Sequence, residues 1–195
     1  GSKNANTAEI RRGALAGPFL DVVVDLANDP LLAQLAPMSE KSKNERGYEE
    51  LVTRFFAYGD GLEDYRDRPS AFLFAYSKKM NEAFAADPAL ADKYRERFSA
   101  VLGFVSRNFP FGFRKTDSGS ATPRTRFESI AIGADRALAE RPELADRSAD
   151  ELDVASWINL PEFQKITGSD GANAVARLRG RIEFVRNKLV GHGDD

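Results

Sequence analysis

At 195 residues the chain is long enough to bury a real core in one domain. Its composition, 42% hydrophobic and 30% charged with a net charge of −2, is ordinary for a soluble globular protein and provides no global drive toward nucleic acid or acidic membranes. Zero cysteines and one histidine exclude disulfides, thiolate metal sites, a cysteine nucleophile and multi-histidine metal sites.

Gly1-Ser2 reads as a cloning scar, which leaves 3–195 as one expected helical domain. Apolar residues then recur at helical spacing almost throughout. The expected helices are 7–16, 18–28, 30–36, 45–58, 69–86, 88–107, 123–140 and 172–190, with a shorter one or two within 149–167. Asp29-Pro30, Asp87-Pro88 and Thr122-Pro123 each place a capping side chain before a proline, the pattern of a helix start. Met38–Asn44 and Phe109–Thr122 read as loops, and the second is the candidate subdomain boundary. No stretch alternates cleanly enough for a strand. The expectation is an all-α fold, a single helical bundle of about eight to ten helices. No apolar run nears the roughly 20 residues that span a bilayer. No signal-peptide pattern precedes the first amphipathic segment, so the expected location is cytoplasmic, without a membrane partner.

Four groups of residues invite a functional reading. Arg177, Arg179, Arg181, Arg186 and Lys188 load the last helix, with Arg177, Arg181 and Lys188 near one side. Such a face binds phosphates in a salt-dependent way, or is simply a solvated surface. Glu49, Glu50, Glu63, Asp64 and Asp67 gather near Gly59-Asp60-Gly61, but without calcium-loop spacing, so a solvated helix end is the favoured reading. Arg54, inside Val52–Phe56, is expected to be partly buried and paired with Glu50 one turn back. Trp157 and most of the 14 phenylalanines are expected in the core. Arg186 and His192, separated by five residues, resemble the arginine–histidine motif of the HEPN ribonucleases. That resemblance implies an arginine stabilising phosphate charge and a histidine shuttling a proton. The alternative is a tail histidine beyond a glycine helix end.

Several segments in order resemble a second family. Ala8-Glu9-Ile10-Arg11-Arg12-Gly13-Ala14, followed by Gly17-Pro18-Phe19, resembles the E-I-R-x-A … G-x-F stretch of the GmrSD-type restriction family. Glu50–Ala57 resembles its E-x-V-x-R-F-x-A helix, and Phe111-Gly112-Phe113-Arg114-Lys115 its F-G segment. Phe127-Glu128-Ser129-Ile130 and Phe163–Val190 resemble the helices that follow. The family's D-G-Q-Q-R signature and its histidine-rich nuclease motif do not occur here, so no catalytic residue carries over. The resemblance implies a non-catalytic helical region of an anti-phage defence protein, with the ribonuclease reading above or a purely structural adaptor domain as the alternatives. It implies a ParB-like catalytic module as partner, in cis or in trans, with self-association and DNA contact as further expectations. The nucleoside triphosphate and divalent metal belong to that parent, and no cofactor is expected in this chain. Arg11, Arg12, Arg114, Lys115, Arg177 and Arg181 are the candidate nucleic-acid or partner contacts.

Overall fold

The structure, a computed structural model, describes residues 12–191. It is all-α, with eleven α-helices, one 3-10 helix and no strand among the described residues. In chain order α1 is Pro18–Ala27, α2 Pro30–Leu35, α3 Glu40–Asn44, α4 Gly47–Asp60, α5 Pro69–Ala86 and α6 Ala89–Asn108. After an irregular stretch come α7, Arg124–Glu140, and a 3-10 turn at Pro142–Asp146. The chain closes with α8 Ala149–Leu152, α9 Val154–Trp157, α10 Pro161–Ile166 and α11 Val175–Gly191. None of these helices is long and apolar enough to cross a membrane.

The helix count slightly exceeds the expected one because short, locally capped pieces form where the sequence reads as loop or as one or two helices. Ser39 accepts from the Ser42 N–H at 3.2 Å and starts α3 inside the expected 38–44 loop. Ser148 and Glu151 form a reciprocal capping box on α8. Asp153, at φ 46°, then turns the chain into α9.

α7 is the central element, packed against α4, α6 and α11, while α1 packs on α4, α5 and α6. The approach of α7 to α11 depends on Gly133. A Cβ there would lie 2.6 Å from Val185 Cβ and 2.9 Å from the Ile182 carbonyl, closer than real side chains come. One apolar core runs from Phe19 to Leu189. Its aromatics meet edge to face: Phe19 lies 5.6 Å from Tyr76 and 5.5 Å from Phe84. The irregular segment between α6 and α7 enters this same core through Phe109 and Phe113. The Phe113 N–H donates to Leu35 O at 2.9 Å, so the segment is pinned at both side chain and backbone.

Candidate functional site

Three charged side chains from distant parts of the chain meet inside the bundle. Glu128 of α7, 1% exposed, lies between Arg54 of α4 and Arg181 of α11. Arg54 Nη1 donates to one Glu128 oxygen at 3.0 Å, and Arg181 Nη2 to the other at 2.5 Å. Arg54 also donates to Glu50 at 2.8 Å and to the Tyr58 hydroxyl at 3.0 Å. Arg181 Nη1 reaches the Ala172 carbonyl at 2.8 Å, and the Ser129 hydroxyl donates to the Arg181 carbonyl. Burial pushes the Tyr58 hydroxyl well above the usual tyrosine range. Desolvating three charges is costly, and only close pairing offsets it, so this cluster specifies one register of α4, α7 and α11.

A second charged network sits nearer the surface. Arg97 of α6 grips Asp135 with both Nε (3.0 Å) and Nη2 (2.9 Å), and its Nη1 donates to Asp60 at 2.6 Å. Its guanidinium carbon lies 5.4 Å from the Phe55 ring centroid and 5.6 Å from that of Phe56. Asp60 also accepts from the hydroxyls of Tyr76 and Tyr94. Burial, reinforced by the Asp60 hydrogen bond, raises Tyr94 to about 12. Arg126 differs from both arginines: it is buried, donates to the carbonyls of Arg114 (3.0 Å) and Ile158 (3.3 Å), and lies over the Phe163 ring. Burial pushes it down to about 10.

The amino end of α1 is gripped from outside. Gly17, its N-cap, has no side chain to offer. Asn81 of α5 stands in: its Oδ1 accepts from the N–H groups of Phe19 (3.0 Å) and Leu20 (3.4 Å), while its Nδ2 donates to Leu15 O at 3.0 Å. A Cβ at position 17 would lie 2.5 Å from that Oδ1, so the glycine is what admits the cap. Just upstream, Arg12 donates to Glu49 at 3.1 Å.

The expected contact residues do not form one face. Arg11 and His192 lie outside the described residues. Arg12 is paired as above. Arg114 folds back onto the carbonyls of Phe111 (3.1 Å) and Asp117 (2.6 Å). Lys115 lines a cavity of about 670 Å³. Arg177 donates to Lys165 O at 3.2 Å. Arg181 corrects the reading of a basic face shared with Arg177 and Lys188: it is 2% exposed and belongs to the Glu128 cluster. Arg186, of the ribonuclease-like pair, forms an ion pair with Glu140. The acidic group disperses too. Glu49 meets Arg12, Glu50 meets Arg54, and Asp67 accepts from the Val175 N–H at 2.8 Å. No group of three candidate metal ligands gathers among the described residues.

The pairing of Arg54 with Glu50 is as its spacing suggests. Arg97 and the role of Glu128 go unread in the sequence. The available signal for Glu128 was a lone carboxylate between Phe127 and Ile130 within an apolar stripe. Compared with known proteins, the chain matches no family model, no curated protein and no solved structure.

Proposed function

We propose that this chain is a non-catalytic helical support domain of a GmrSD-like anti-phage defence protein. In this reading it seats a ParB-like, nucleotide-hydrolysing module and contacts DNA. One observation carries it: residues 12–19 are fixed to the bundle by the Asn81 cap and the Arg12–Glu49 pair. The family-like Gly17-Pro18-Phe19 stretch is therefore a rigid mount, able to hold whatever joins it in one orientation. Phe19 adds to this by burying its ring against Phe56, Tyr76 and Phe84. Among the expected DNA contacts, Lys115 stays available at a cavity wall, whereas Arg181 is committed to Glu128.

Co-expression with a ParB-like module, followed by pull-down, nucleotide-hydrolysis and DNA-binding assays, tests the reading. Association is expected, and Asn81→Ala should weaken it while leaving the bundle folded. A folded domain that neither associates with such a module nor binds DNA overturns it.

A further inference from the structure

Two Asp–Gly steps occur in the sequence, Asp60-Gly61 and Asp170-Gly171, and no Asn–Gly step. At such a step the aspartyl side chain meets the next backbone nitrogen most easily, because glycine has no Cβ to bar the approach. The fold treats the two steps in opposite ways. Asp60 ends α4 with its carboxylate clamped. It accepts from the Tyr76 hydroxyl, from the Tyr94 hydroxyl at 2.8 Å and from Arg97 Nη1 at 2.6 Å. Its Cγ cannot swing onto the Gly61 nitrogen without giving up all of these. Asp170 lies exposed in the connection between α10 and α11. Its carboxylate makes no hydrogen bond or ion pair among the described residues, and the Gly171 N–H donates to no acceptor among them. Gly171 adopts φ 61°, and beyond its chain neighbours no heavy atom lies within 4 Å of where a Cβ would stand. Nucleophile and electrophile are therefore adjacent, uncommitted and in open space.

We propose that Asp170–Gly171 is a site of spontaneous isoaspartyl formation, a slow covalent modification that loosens the start of α11. The Gly171 nitrogen attacks Asp170 Cγ. The N–Cγ bond forms, the Cγ–OH bond breaks, and the hydroxyl leaves with the amide proton as water. Water then adds back across one carbonyl of the cyclic imide. Opening at Cγ–N restores aspartate. Opening at the backbone C–N bond leaves the chain running through Cβ and Cγ, one carbon longer, and frees the α-carboxylate. No oxidant, reductant or reactant other than water takes part. The extra carbon falls between two fixed points. Upstream, the Thr167 carbonyl accepts from the Thr125 hydroxyl, and the Thr167 hydroxyl donates to Phe163 O at 2.7 Å. Downstream, Ala172 O accepts from Arg181 Nη1 at 2.8 Å, Asn173 O from the Tyr65 hydroxyl at 2.6 Å, and the Val175 N–H donates to Asp67 at 2.8 Å. The Ala172 N–H also donates to Ser169 O at 3.2 Å, across Asp170 itself. Lengthening the chain at 170 breaks that turn and draws Ala172 O away from Arg181, the arginine that holds Glu128. The inference is independent of the proposed support role, because it needs this chain alone.

Incubation of the full chain at neutral pH and physiological temperature tests it, read by methyl labelling with an isoaspartyl methyltransferase and by peptide mapping. Label is expected to accumulate at 170 about tenfold or more faster than at 60, where closure must first release charge-assisted hydrogen bonds. In urea, which removes the Asp60 clamp, the two steps should react at similar rates. Asp170→Glu should abolish labelling at that position, since closure would need a larger ring. The isoaspartyl fraction, separated by ion exchange, should melt below the unmodified one. No label at 170, equal labelling at 60 in the folded chain, a persistent difference between the two in urea, or label retained in Asp170→Glu overturns the modification site. Equal melting of the two fractions overturns the loosening of α11.

Discussion

The amino ends of α1 and α7 are opposite solutions to one problem. Each helix begins beside a proline and leaves N–H groups that need acceptors. α1 has a glycine at the cap position, yet its N–H groups are satisfied by Asn81, 62 residues along the chain. α7 has Thr122 in the local pattern of a cap, yet that hydroxyl is drawn away to Pro37. The difference teaches that a cap is a competition among all nearby acceptors, which the tertiary fold decides. It also separates two ways of holding a helix. α1 is held at its end, whereas α7 is held one turn in, by Glu128.

Breaking the α7 anchor should have the largest effect. Glu128→Gln leaves Arg54 and Arg181 buried without their shared carboxylate, and should cost about 3–5 kcal/mol in urea unfolding. A cost below about 1 kcal/mol would show that the cluster does not hold α7.

The α1 end should respond next. Gly17→Ala drives a Cβ into Asn81 and should cost about 1–3 kcal/mol, and Asn81→Ala about 1–2 kcal/mol through the lost cap. The two should be strongly non-additive, since removing the Asn81 amide makes room for the new methyl. Simple additivity in a double-mutant cycle would break the account of the borrowed cap.

Thr122→Ala should cost less, about 0.5–1 kcal/mol, because it removes one hydrogen bond to Pro37 and no cap. A larger loss, about 1–2 kcal/mol, would mean that Thr122 does cap α7. Smallest is Arg124→Gln, expected to leave unliganded stability unchanged or raise it by about 0.3–1 kcal/mol, since it relieves a cation at the positive helix end. A clear destabilisation in thermal melts would mean that Arg124 is paired, and the contrast between the two ends would fail.

The sequence by itself determined the all-α class, the long helices and several of their starts. Asp29 accepts from the Leu31 N–H at 2.9 Å, as a local capping pattern predicts. The (i, i+4) pair of Glu50 and Arg54 was legible for the same reason: one helical turn sets the distance. Helical periodicity and first-turn capping are properties of a few adjacent residues, so they survive without knowledge of the fold.

The tertiary structure alone decided which charges meet. Arg181 shares a helical side with Arg177 in the sequence pattern, yet it points to Glu128 because Gly133 brings α11 so close to α7. Asn81 caps a helix it does not belong to, and Arg124 finds no ion-pair partner among the described residues while Arg54, Arg97 and Arg181 all find carboxylates. Ion pairing and capping at long range depend on desolvation and on distances of about 3 Å. Those distances exist only once the helices have packed.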